Sequence, residues 1–259
     1  SDATGETVMR FKKKLPIRYV CETNVGYSYA YNKGIQEATG SWVTFIDDDC
    51  VAVSQWYGEV CRFIHKYPFA GAIVGRSDNF FKQNIIASLS HLYFTWWFKK
   101  HLNEGSVKVR SLAGLDNRNV SYNKKLLKRH GIRFDDLNSS SSVGAEDVDI
   151  GLQMERAHLF AFYNPKMIVF HKEPRQLRYF LNREVFYSRS MKYVQTKWRN
   201  KKIYSSRASL HWDTKLKLWI DCFVECSRAL SPQKKILLVF LIVVHQFVLR
   251  PLYRFKIAG

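Results

Sequence analysis

The chain has 259 residues, with 41 Lys and Arg against 22 Asp and Glu, a formal net charge of +19. Hydrophobic residues make up 46% and charged residues 24%, which excludes a disordered or collagen-like chain and leaves room for one large domain or two small ones. So large a cationic excess calls for an anionic partner: nucleic acid, a phosphate-bearing substrate or a membrane surface. From Ile17 to Asn24 the sequence is short and β-rich, then turns at Asn24-Val25-Gly26. Apolar spacing predicts a helix over 27–38, which Gly40 ends. Trp42 to Ile46 is a run of β-branched and aromatic residues, read as a buried strand that runs directly into Asp47-Asp48-Asp49. A helix follows over 56–67, and a strand over 71–75. Residues 85–98 are apolar and aromatic-rich, a helix facing core or membrane. The serine run at 139–142 reads as a flexible loop, and a helix then starts near Glu146 with acids in its first turn, as the helix dipole favours. Asn164-Pro165 reads as a break, and Met167 to Phe170 as a last short strand ending at His171. The alternation predicts an α/β fold, a mostly parallel sheet flanked by helices.

Charge is unevenly spread. Residues 1–171 hold 22 basic and 17 acidic side chains, while residues 172–259 hold 19 basic and 5 acidic. This places a boundary between a nearly balanced body, 1–172, and a basic, helical, membrane-associating region, 173–259. The most apolar stretch, residues 236–249, is flanked by Lys234, Lys235, Arg250, Arg254 and Lys256. A bilayer span needs about 20 apolar residues, so this segment is expected to lie in or dip into the membrane. A buried core helix is the alternative. The five cysteines include no CxxC pair, which points to reduced thiols in a cytosolic setting and away from a disulfide framework or zinc ribbon.

Three groups can carry chemistry. Asp47, Asp48 and Asp49 follow an apolar strand, where open α/β sheets bind ligands. Adjacent carboxylates repel, so they need a cation, and magnesium or manganese commonly bridges a carboxylate to a diphosphate. Glu146 and Asp147, with Asp149, follow a loop, and a carboxylate there can take a proton from an acceptor hydroxyl; acids at a helix start are also stabilising by themselves. His171 ends a strand and can complete a metal site through a ring nitrogen.

In this order the motifs resemble a known family. ETNVGYSYAYNKGIQEATGSWVTFIDDDC, SLAGLDNRNVSYNKKLLKRHGIRFDD, GAEDVDIGLQMERAH and IVFH are similar to segments of family 2 glycosyltransferases, inverting enzymes of the GT-A fold, over residues 1–172. The resemblance implies a Rossmann-like GT-A body. It implies that Asp49 holds a Mg or Mn ion on a nucleotide-sugar diphosphate, with His171 as a further metal or diphosphate contact. Asp47, Asp48, Asn24 and Asn32 would bind the donor, expected to be a UDP-sugar. Asp147, positioned by Glu146, would be the base acting on a glycan or lipid-linked acceptor. The chain departs from the family at Tyr31 and Gln153, where Arg is common, and at His158, where Gly is usual. SDAT is similar to the tail of the family's Asp-x-Ser-x-Asp segment, so a first strand is expected before Ser1.

The resulting expectation is a metal-dependent hexosyltransferase of polysaccharide biosynthesis, on the cytoplasmic face of the cell membrane. A non-catalytic membrane-binding remnant is the alternative. Nucleic-acid binding, suggested by basic and aromatic residues interleaved over 175–198, lacks any fold signature and is set aside.

Overall fold

The computed structural model describes residues 3–21, 26–103, 106–135, 145–199 and 212–249. Asn24, the serine run and the cations Arg250, Arg254 and Lys256 lie outside the described residues. A five-stranded sheet runs in the order β1-β4-β3-β5-β2, with β1 at Trp42–Ile46, β2 at Cys50–Ala52, β3 at Ala72–Asn79, β4 at Asn119–Asn123 and β5 at Ala161–His171. The helices are α1 (Thr4–Lys12), α2 (Tyr27–Glu37), α3 (Trp56–Lys66), α4 (Ile85–Lys99), α5 (Lys124–Arg129), α6 (Glu146–Arg156), α7 (Leu177–Trp198), α8 (Trp212–Ser227) and α9 (Pro232–Val244).

The α/β class is as predicted, but the strand directions are not mostly parallel. Among the described ladders β3–β5 is parallel, while β1–β4, β3–β4 and β2–β5 are antiparallel. The difference comes from two strands with weak sequence signals. β2 is three residues long, and β4 is Asn-Val-Ser-Tyr-Asn, buried throughout. Its polar groups are satisfied inside the sheet: Thr44 faces Ser121 across the β1–β4 ladder, with their hydroxyls 2.8 Å apart. Residues 17–21 form no ladder among the described residues, and Tyr19 and Val20 are exposed. An apolar run alone does not make a strand; it needs a neighbour to bond.

Alternation along β3 divides the core. Ile73 packs with Val60 and Phe63 of α3, while Ala72 and Val74 pack with Phe98 of α4 and Ile150 and Met154 of α6. Asn164-Pro165 does not break the last strand. β5 passes through it, and the register steps from Gly75↔Asn164 to Arg76↔Ile168, so the proline sits in a bulge where no ladder donor is needed. Asn119 fills this bulge: its Nδ2 donates to the carbonyls of Arg76 at 2.9 Å and Met167 at 2.8 Å, and its Oδ1 accepts from Trp56 Nε1 at 2.9 Å.

Helix α6 is fixed by backbone contact. A Cβ at Gly151 would overlap the Leu112 carbonyl oxygen, so only glycine allows this approach. At its far end Leu159 N–H bonds the Met154 carbonyl and His158 N–H the Glu155 carbonyl, each at 3.0 Å, with His158 at φ 56°. This is the left-handed helix stop that glycine usually supplies, which explains the departure at His158. Helix α7 packs Val194 and Trp198 against Val148 and Leu152 of α6, and Phe180 joins Leu89 of α4 to Leu238 of α9. α9 continues through a wide helical turn over His245–Leu249, where His245 Nδ1 lies 2.9 Å from the Tyr93 hydroxyl.

Candidate active site

The acidic triplet occupies a tight turn between β1 and β2, closed by the Cys50 N–H donating to the Asp47 carbonyl at 3.0 Å. The β2–β5 register then sets Cys50 opposite His171, and Lys172 N–H donates to the Asp49 carbonyl at 3.0 Å. These main-chain bonds bring Asp49 Oδ2 to 3.2 Å from His171 Nε2. Asp48 points into solvent.

The environments of Asp47 and Asp49 differ. Burial, then the charge of Asp116, pushes the Asp47 carboxyl up from 3.8 to about 6, against Arg118. Burial also works to raise Asp49, but the hydrogen bond and charge of His171, with Arg118, hold it below its ordinary value. His171 answers in kind: burial and Arg118 oppose its charge, yet its bonds to Asp49 and Glu173 raise it. Asp49 is thus kept ionised beside a histidine. Tyr31, at one family departure, has its hydroxyl 3.4 Å from Asp47 Oδ1 and packs between Phe45 and Phe134.

At the start of α6, Glu146 is buried, accepting from the Ala145 N–H at 3.0 Å and from Asn117 Nδ2 at 3.4 Å. Asn117 is held in turn by the Tyr122 hydroxyl at 2.8 Å. Burial raises the Glu146 carboxyl. Asp147 is half-buried, and burial, then Glu146 and Asp116, lift it well above the carboxylate range. A carboxylate with raised proton affinity is suited to accept a hydroxyl proton near neutral pH. Ala145, just before this pair, sits at φ 138°, a strained value for a residue with a Cβ. Asp149 serves another purpose. It is fully buried, accepting from Trp198 Nε1 at 2.7 Å, Lys197 Nζ at 2.9 Å and Gln153 Nε2 at 2.9 Å, and so ties α7 to α6.

The two acidic groups act on the same tyrosines. The hydroxyls of Tyr27 and Tyr31 are each raised by burial and then by charges from both Asp47 and Glu146. Asp116 acts on Asp47 and on Asp147. The structure joins Asp49 to His171 directly, and Asp116 links the electrostatics of Asp47 and Asp147. Asn32 is engaged elsewhere: its Nδ2 donates to the Phe134 carbonyl at 2.9 Å and its Oδ1 accepts the Phe134 N–H at 3.0 Å, a brace beneath the site.

Sequence reasoning missed the site's inner layer. Arg118 donates from Nε to Asp116 Oδ1 at 2.8 Å and from Nη1 to Glu173 Oε1 at 3.3 Å, and its guanidinium lies 3.5 Å from the Phe94 ring centre. Ser77 adds a bond to Asp116 at 2.9 Å. Glu173 follows His171 by two residues, and that strand period was a readable signal for a shared face; Asp116 and Arg118 carried none beyond lying in a small-residue segment.

Among the described residues no group of three or more His, Cys, Asp or Glu is arranged to hold a metal. The site offers two donors, Asp49 and His171, and neighbouring donors on an octahedral ion with bonds of about 2.1 Å lie about 3 Å apart. Their 3.2 Å separation therefore fits a Mg or Mn ion completed by substrate oxygens.

The family model described as glycosyl transferase family 2 matches residues 1–131. No curated protein sequence matches the chain. Among solved structures it is similar to the mannosyltransferase PcManGT from Pyrobaculum calidifontis, in complex with GDP-Man and Mn2+, at 17% identity and a TM-score of 0.57, covering 100% of this chain and 71% of that one. It is also similar to S. aureus TarS, at 14% identity and a TM-score of 0.49, covering 90% of this chain and 42% of that one.

Proposed function

The chain belongs to glycosyl transferase family 2, and from that premise we propose that it is an inverting, metal-dependent hexosyltransferase. It moves a sugar from a nucleotide-diphosphate donor, a UDP-sugar, to a hydroxyl of a glycan or lipid-linked acceptor. The observation that carries this reading is the meeting of Asp49 and His171 at 3.2 Å, with a raised Asp147 at the start of α6 supporting it. Asp47 and Asp48 contact the donor, and Asp147 accepts the proton of the attacking hydroxyl, with Glu146 and Asn117 holding its position. Attack opposite the leaving diphosphate inverts the anomeric centre. When bound at Asp49 and His171, a divalent ion offsets charge on the leaving group.

The reaction is placed at the cytoplasmic face of the cell membrane. Residues 232–249 form one helix of 18 residues with mean hydropathy 1.5, and by length and composition it is able to cross a membrane. We favour a shallow, in-plane position. Leu238 and His245 are buried against the body, which keeps α9 on the protein, while Ile236, Phe240, Val243 and Phe247 are exposed. Leu216, Ile220 and Val224 of α8 are exposed at helical spacing, with the exposed Lys215 and Lys217 available to anionic headgroups. The alternative of a non-catalytic remnant has one point in its favour, the run at 17–21 that forms no ladder among the described residues.

The test is turnover. Asp49→Ala and Asp147→Asn should each abolish transfer from a nucleotide sugar while circular dichroism stays unchanged. Full activity in both variants would end the assignment.

A further inference from the structure

Glu173 is a carboxylate with no exposed side-chain surface, at the inner edge of the site. Its Oε1 lies 3.1 Å from His171 Nδ1, and its Oε2 accepts from Arg183 Nη2 of α7 at 2.9 Å and Ser90 Oγ of α4 at 2.5 Å. With Arg118 at 3.3 Å, three separate parts of the chain hold this side chain in one orientation. On the far side of the imidazole, Nε2 faces Asp49 Oδ2 at 3.2 Å.

We propose that Glu173 is a positioning residue: it accepts the Nδ1–H of His171, fixing the ring and the tautomer so that the Nε2 lone pair is presented beside Asp49. This rests on the reading of Asp49 and His171 as metal donors. With no cation bound, Asp49 can accept from Nε2 as Glu173 can from Nδ1; a cation on Nε2 decides between the two arrangements of one proton. Arg118 Nη1 is also 3.2 Å from Nδ1, and a guanidinium only donates. If Arg118 donated to Nδ1, the proton would sit on Nε2 and the metal-facing nitrogen would be closed. If the proton sits on Nδ1, Glu173 accepts it through a charge-assisted bond, and Arg118 retains Glu173 Oε1 and Asp116 Oδ1 as acceptors. An imidazole that binds a cation through Nε2 has only Nδ1 left for its proton, and the acceptor there is Glu173. Carboxylates in this relation to a metal-binding histidine orient the ring and raise its basicity, and their loss costs about 10- to 100-fold in metal affinity. The competing view is that Glu173 merely neutralises the partly buried Arg118 and Arg183.

Two measurements separate these. In the full chain labelled with 15N-histidine, long-range 1H–15N spectra give the His171 tautomer at a pH where the ring is neutral, with His171→Ala supplying the assignment. With Mg2+ and nucleoside diphosphate present a protonated Nδ1 is expected; a protonated Nε2 under those conditions overturns the proposal. Mn2+ affinity is then read by the electron paramagnetic resonance of free Mn2+, with uridine or guanosine diphosphate present. Glu173→Gln should weaken it about 10- to 100-fold. Glu173→Asp keeps the charge that Arg118 and Arg183 need but withdraws the oxygen from Nδ1, and should weaken it too; it serves if the glutamine variant does not fold. Wild-type affinity in either folded variant, with Mn2+ binding lost in His171→Ala, overturns the role of Glu173 and leaves the metal reading standing. Absence of Mn2+ binding in the wild type overturns the metal reading, and with it the proposal.

Discussion

The body and the C-terminal third use charge in opposite ways. In the body Asp116, Glu146, Asp149 and Glu155 are buried, and each has a polar partner placed by the fold. In the last third Lys215 and Lys217 are exposed, as are apolar side chains such as Ile220, Phe240 and Phe247. The lesson is that +19 is not one property. Buried charge sets proton affinities and holds α6 and β5 in place. Exposed charge beside apolar surface is suited to an interface. The two regions are joined where Lys197 of α7 reaches Asp149 and where Glu173 meets Arg118.

The largest effect expected in the body is on rate. Asp147→Asn should lower kcat by about 10²- to 10⁴-fold, the usual worth of a general base, with donor KM little changed. A shift in KM alone would assign Asp147 to binding. Gly151→Ala sets a methyl against the Leu112 carbonyl, and should cost about 2–3 kcal/mol in urea unfolding. An unchanged midpoint would mean that α6 is free to move, and that its carboxylates are less firmly held than the Gly151 contact implies.

Stability should also carry a pH signature from the body. Asp47 binds its proton more tightly folded, at about 6, than its ordinary 3.8. The native state therefore gains stability that is complete below pH 3.8 and lost as pH rises through about 6. Two units correspond to about 3 kcal/mol at most. Melts in chelator across this window should decline, and Asp47→Asn should flatten the decline; parallel curves would show that Asp47 is solvated. On the opposite side of the comparison, Phe240→Asp and Phe247→Asp should each weaken partition onto anionic vesicles. Burying a Phe side chain contributes about 1.5–3 kcal/mol, so the loss should be tenfold or more, with turnover on a soluble acceptor unchanged. Equal partition by the double variant would remove the membrane reading of this face. The smallest effect is expected at His158. Glycine there should stabilise by about 1 kcal/mol, because it relieves a left-handed conformation.

These residues also show what the sequence made legible. Trp42–Ile46 running into Asp47-Asp48-Asp49 was readable because an apolar β-branched run demands burial, while three adjacent acids demand water or a cation. The boundary between them is the end of a strand, although the strand is less buried than its sequence predicts: of its five residues only Val43 is buried, and Ile46 is exposed. Glu146 at a helix start and His171 at a strand end were readable by the same local logic. β4 was not, since Asn119, Ser121 and Asn123 are polar and become strand residues only by filling a bulge and facing Thr44. Pro165 read as a break because a bulge is a property of two strands together. Arg118 and Asp116 lacked a local signal for the same reason: their role exists only where β4, β5 and α4 meet. Asn32 read as a donor contact, and tertiary packing gave its amide to Phe134.

The central claim is that Asp49, beside His171, completes a divalent-ion and diphosphate site. Calorimetric titration of uridine diphosphate into the wild type and Asp49→Ala, with Mn2+ and then with chelator, tests it most directly, with guanosine diphosphate as the comparison for base preference. Saturable heat is expected in the wild type with Mn2+, and its loss both in chelator and in the variant. Binding that is indifferent to the metal and to Asp49, or no binding of either nucleotide with Mn2+ present, would contradict it.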